Sequence, residues 1–147
     1  MVELLVALAL LALLVSAAAP MVQINAKRQK EQELRKVLWQ MRDAIDAYKQ
    51  AVDDGLVKKS QNENGYPPTL QTLVSGVENS QDPNKKKLVF LRRIPRDPFA
   101  EDSESSNEQT WLIHAYDGSQ GEFAADVYDV TSRSAQIGIN QQPYNTW

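Results

Sequence analysis

Met1-Val2-Glu3-Leu4-Leu5-Val6-Ala7-Leu8-Ala9-Leu10-Leu11-Ala12-Leu13-Leu14-Val15 opens the chain, and the apolar character continues past Ser16 and Pro20 to Val22 and Ile24. The 21 residues Leu4 to Ile24, at ~1.5 Å rise each, make a helix of roughly 30 Å, the thickness of a bilayer's hydrocarbon core. The only charge before or inside this run is Glu3. Three readings fit such a segment: a cleaved secretory signal, a plain membrane anchor, and an anchor that also packs against copies of itself. Ser16-Ala17-Ala18-Ala19 has the small residues of a cleavage site, but no Lys or Arg precedes the apolar run. A carboxylate in hydrocarbon costs several kcal/mol unless it is paired or neutralised. Glu3 therefore either sits among headgroups, complementing the helix macrodipole, or meets a cation on a neighbouring chain. Pro20 removes one helical hydrogen bond and is expected to kink or loosen the turns before it.

Outward from this segment, the composition is that of a soluble body. The chain has 147 residues, 42% hydrophobic and 24% charged, with mean hydropathy −0.47. That length allows one compact domain plus an appendage. Cysteine is absent, which excludes a disulfide framework, a thiolate metal site and a cysteine nucleophile. A single histidine, His114, excludes paired-imidazole metal motifs, and on a short strand it reads as structural rather than catalytic. No nucleophile elbow or phosphate-cradling glycine loop occurs, so the chain reads as a non-enzyme. Residues 1–58 carry 8 Lys/Arg and 7 Asp/Glu, residues 59–99 carry 7 and 4, and residues 100–147 carry 1 and 8. No basic, aromatic-laced surface emerges, which excludes nucleic acid as the expected partner. A basic middle and an acidic end suit pairing with copies of the same chain.

Beyond the apolar run, Leu34, Val37, Leu38, Met41, Ile45, Tyr48, Val52 and Leu56 recur at steps of three or four. The spacing predicts one amphipathic helical face, continuous with the apolar segment and stopped by Gly55. The whole would be one helix of roughly 50 residues and ~80 Å. Trp39, one position off the stripe, reads as a flank of the core. Tyr66-Pro67-Pro68 forces an extended approach to a short helix capped by Thr69 and ending near Gly76. Lys85-Lys86-Lys87 reads as a solvated run, and the prolines of Leu88 to Phe99 exclude a central strand. Trp111–Tyr116 and Ala125–Val130 read as two strands joined by a hairpin turn at Asp117-Gly118-Ser119-Gln120-Gly121.

The stretch Met1 to Leu8 followed by Pro20 resembles the start of a mature type IV pilin or type II secretion pseudopilin. Tyr66-Pro67-Pro68-Thr69-Leu70, Leu91-Arg92-Arg93-Ile94-Pro95-Arg96-Asp97-Pro98-Phe99 and the closing Asp126-Val127-Tyr128-Asp129-Val130 resemble the major pseudopilin branch, and the likeness spans nearly the whole chain. It implies an α+β fold of ladle shape. A filament-core and transmembrane segment over 1–25 would lead into a head over 26–147. That head would comprise the amphipathic helix 26–56, a loop and short helix over 57–99, and an antiparallel sheet with its tail over 100–147. In the family a methylated Phe and one more residue precede the Met-Val pair, after a short basic leader removed by a prepilin peptidase. The resemblance thus implies a longer native chain. Such a leader also reverses the orientation that Lys27, Arg28, Lys30, Arg35 and Lys36 would otherwise dictate. The implied location is the inner membrane, single pass, with the head in the periplasm.

The implied function is a structural subunit that polymerises through its N-terminal helices, assisted by secretion or pilus machinery. Glu3 would be matched by a neighbour's N-terminal amine, and Pro20 would permit axial adjustment. The expected role is the major pseudopilin of a type II secretion-like system. The alternatives are a subunit of an extracellular type IV pilus and a monomeric anchored periplasmic binding protein with its site around Tyr66 and Asp117. Major pseudopilins commonly hold calcium in the C-terminal loop. The oxygens on offer here are Asp117, Asp126, Asp129 and Ser132, beside Glu122. Thr131 to Trp147, however, contains no Asp or Glu, so the expectation is no cofactor, with calcium as the alternative and Pro143, Tyr144 and Trp147 packing the tail in its place.

Overall fold

A computed structural model describes residues 1–16 and 21–147 of the chain. The leading helix α1 is Val2–Asp53, 52 residues. Pro20 and the Ala17-Ala18-Ala19 run, to which the sequence assigned a kink and a cleavage site, lie outside the described residues. The amphipathic stripe is buried as its period requires: Leu34, Leu38, Met41, Ile45, Tyr48 and Val52 all face the core, while Leu56 is half-buried beyond the helix end. Gly55, at φ +75°, stops the helix. Its N–H donates to the Val52 carbonyl and that of Leu56 to the Ala51 carbonyl, a C-terminal lock that needs one left-handed residue, here the glycine.

The rest of the head wraps this stripe. The second helix, α2 (Leu70–Ser75), starts where Thr69 Oγ1 accepts the Thr72 N–H and contributes Leu70 and Leu73 to the core. Gly76 follows at φ +73°, and a Cβ there would lie 2.8 Å from the Leu88 carbonyl oxygen. Glycine is thus required both for the turn and for the close approach of β1 (Val77–Glu78) to β2 (Lys87–Leu88), its antiparallel partner. This pair was not foreseen, because two residues are too few to show a period of two. Phe90 and Leu91 N–H both donate to the Leu73 carbonyl, which carries the proline-rich segment across α2.

The antiparallel structure is two separate two-stranded pairs and not one sheet. In the second pair β3 (Trp111–His114) lies against β4 (Asp129–Ser132) with Trp111 opposite Ser132 and His114 opposite Asp129. The predicted second strand, Ala125–Val130, is therefore displaced toward the C-terminus. The cause is local: the Asp126 carboxylate accepts from the Tyr116 N–H and from Asn64, and the Val127 N–H goes to the Pro67 carbonyl. The Val127 N–H is thereby diverted from the strand ladder, while the Asp126 side chain ties the segment to Tyr116 and Asn64. Trp111 is fully buried, its indole N–H donating to the Pro95 carbonyl at 2.8 Å. A second correction concerns Trp39, which is 77% exposed on the outer face of α1 and does not flank the core.

Candidate functional site

Among the described residues, the apolar half of α1 has nothing packed upon it. From Leu4 to Val15 every described side chain is exposed all round the helix, and Met21, Val22 and Ile24 are exposed as well. Its most apolar 18-residue window has a mean hydropathy of 2.5, long and apolar enough to cross a membrane. A helix apolar on every face is stable only when lipid or protein covers it. Glu3 is exposed in the first turn and makes no ion pair among the described residues. Its carboxylate is thus presented to whatever covers the helix.

Directly beyond this half, α1 grips the C-terminal tail. Lys27 Nζ donates to the Ile137 carbonyl at 2.6 Å. One turn later the buried Glu31 Oε1 accepts the Ile139 N–H at 2.7 Å and the Tyr144 hydroxyl at 2.8 Å. The Arg35 guanidinium lies 4.5 Å from the Trp147 ring centre. Arg42 completes the row, bonding the Asp129 carboxylate at 2.7 Å, the Val130 carbonyl and the Trp147 carbonyl. Residues 27, 31, 35 and 42 share one helical face, so the four clamps act in register. Tyr144, stacked on Phe99 with ring centres 3.9 Å apart, is fully buried. Burial first, and then its bond to Glu31, raise the Tyr144 phenol above its ordinary range. The sequence reading missed this clamp, although Glu31 falls three residues before Leu34, in step with the buried stripe, and a charge on that stripe was the available signal.

The oxygens considered for calcium are not brought together. Asp117 accepts from Ser119 N–H and Oγ, Asp126 from Asn64 and Tyr116, and Asp129 from Arg42. Ser132 Oγ donates to Asp97 at 2.6 Å. No group of three His, Cys, Asp or Glu side chains placed to hold a metal ion occurs among the described residues. The Ser119 hydroxyl and N–H hold the Asp117 carboxyl below the usual range, and Ser105 and Glu104 do the same for Asp102. Asp97, buried at 2% exposure and not foreseen as important, takes the Phe99 N–H on one oxygen and Ser132 on the other. It lines a cleft of about 590 Å³ together with Arg133 and Gln136. Both carboxylate oxygens are committed to folding the segment around Phe99.

His114 Nε2 lies 2.8 Å from Thr131 Oγ1 across the β3–β4 pair. Around Tyr66 and Asp117, where a small-molecule site was weighed, the rings of Tyr66, Tyr116 and Tyr128 pack on one another with centres 5.0–5.7 Å apart. Set against protein-family models, curated proteins and solved structures, the chain matches none.

Proposed function

We propose that this chain is a non-enzymatic structural subunit, held in the inner membrane as a single-pass protein with its head in the periplasm, that polymerises into a helical pilus-like filament. Its proposed role is the major pseudopilin of a type II secretion-like system, with the assembly machinery and a prepilin peptidase as partners. The observation that supports this most is the division of α1: an uncovered apolar half bearing Glu3, running into a half whose buried stripe organises the head. Lipid would cover the apolar half before assembly and neighbouring copies afterwards. Burial against neighbours replaces what leaving lipid removes, so selectivity falls to packing and to Glu3. The clamp from Lys27 to Arg42 holds the head against the point where the apolar half emerges, which suits a subunit whose head must follow its helix.

Electron microscopy of membranes from cells producing the protein tests the reading directly. Filaments are expected from the wild type. Glu3→Ala is expected to stay in the membrane and to give none, because the adjacent chain's N-terminal amine has lost its carboxylate partner. Wild-type protein that remains monomeric in lipid, or filaments unchanged by Glu3→Ala, would overturn it.

A further inference from the structure

Two exposed aromatic side chains on the head lie in opposite electrostatic settings. Phe123 is 87% exposed, at the end of the short turn Gly121–Phe123. It belongs to a stretch, residues 97–132, that contains nine Asp/Glu and no Lys or Arg. Its neighbour Glu122 is exposed and makes no ion pair among the described residues. Trp39 is 77% exposed on α1. There residues 27–42 hold six Lys/Arg against Glu31 and Glu33. Arg35 and Lys36, within one turn of Trp39, have no carboxylate partner among the described residues.

Trp39 and Trp147 flank a recess of about 240 Å³ that Arg35 and Arg42 also line. A cavity of about 150 Å³ is enough to hold benzene in other proteins, so the recess has room for one phenyl ring. The indole N–H of Trp147, one of the lining residues, is buried with no acceptor among the described residues. Buried donors in proteins are nearly always paired.

We propose that Phe123 of one copy seats in the Trp39–Trp147 recess of a second copy, with Glu122 facing Arg35 and Lys36. Aromatic and Arg anchors dominate protein interfaces, and opposite charges around them set register. The knob and the recess are different surfaces of the same head. The contact is therefore heterologous, and such contacts continue from copy to copy rather than closing into a pair. This rests on the reading of the chain as a self-assembling subunit and supplies its contact between heads.

The absence of native cysteine makes cross-linking unambiguous. Asp43→Cys, one helical turn beyond Trp39, and Ala125→Cys, two residues beyond Phe123, leave knob and recess intact. Full-length proteins carrying one substitution each would be assembled together in membranes and treated with a short bismaleimide. The expected product is a mixed 43–125 dimer, reduced about tenfold or more when Phe123→Ala or Trp39→Ala is added. Both side chains are exposed, so the melting temperature of the head should not move in either variant. Filaments assembled from the two cysteine-substituted proteins that yield no 43–125 product overturn this contact while leaving the assembly reading intact, as would 43–43 or 125–125 dimers alone, or a lipid or foreign protein covering Trp39. Wild-type protein that forms no filaments overturns the assembly reading itself.

Discussion

Leu11 and Leu34 are the same residue on the same helix, yet the first is 60% exposed and the second 0%. Among the described residues, the apolar half of α1 offers its side chains in every direction and receives none from the rest of the chain. The second half offers a single stripe, and α2, Leu91, Trp111, Val127, Val130 and Tyr144 close over it. An apolar side chain stabilises only what is brought against it. The head is thus complete within one chain, whereas the first half is stable only in company. The contrast locates the division between folding and assembly within one helix, near Lys27, where the clamp on the tail begins.

The sharpest way to break that contrast is a matched pair of truncations. Leu34→Ala is expected to destabilise the head by about 3–5 kcal/mol, the usual result where a fully buried leucine leaves a cavity. Leu11→Ala should leave the thermal unfolding of the head unchanged, since no residue of the head touches it. Circular dichroism melts of both proteins in the same detergent would check this. A head that loses stability with Leu11→Ala would mean that the two halves are not independent.

A smaller effect is expected from Asp97→Ala, about 2–4 kcal/mol, because the Phe99 N–H and the Ser132 hydroxyl are left without their acceptor in a buried place. Asp97→Asn should recover part of it through the remaining carbonyl oxygen. Denaturant unfolding of the three proteins measures the difference, and equal midpoints would refute the role assigned to this carboxylate.

The parts of this fold that could be read from sequence are those with a repeating signal. The stripe from Leu34 to Val52 shows a 3.6-residue period over many turns, and Gly55 and Thr69 mark their helix ends by chemistry that any helix shares. The β4 strand could not be bounded, because Asp126 and Val127 look like strand residues until Asn64, Pro67 and Tyr116, distant in sequence, take their hydrogen bonds. Trp39 was misplaced for a related reason: a large aromatic beside an apolar stripe is usually covered, and only the course of the tail shows that nothing lies over it. The candidate site divides in the same way. Glu3 stands out as a lone charge in an apolar run, but the clamp depends on contacts such as Glu31 with Tyr144, 113 residues apart.

That last contact gives the smallest and most specific test of the boundary between the halves. The Tyr144 phenol is raised above its ordinary range in the folded head, so the folded state keeps this proton at a pH where the unfolded chain, with an ordinary value near ~10, has lost it. The unfolded state then binds fewer protons, and stability falls as pH rises above that value. Below it the contribution is fully present. Tyr48 and Tyr66 are also raised, chiefly by burial, and share in the alkaline loss. Tyr144→Phe should cost about 1–2 kcal/mol at neutral pH, the worth of one buried hydrogen bond to a carboxylate. It should also make the decline in unfolding free energy between about pH 9.5 and 11 shallower than in the wild type. Identical alkaline slopes in the two proteins would show that the tail is held by packing on Phe99 and by Arg42, with the Glu31 bond contributing nothing.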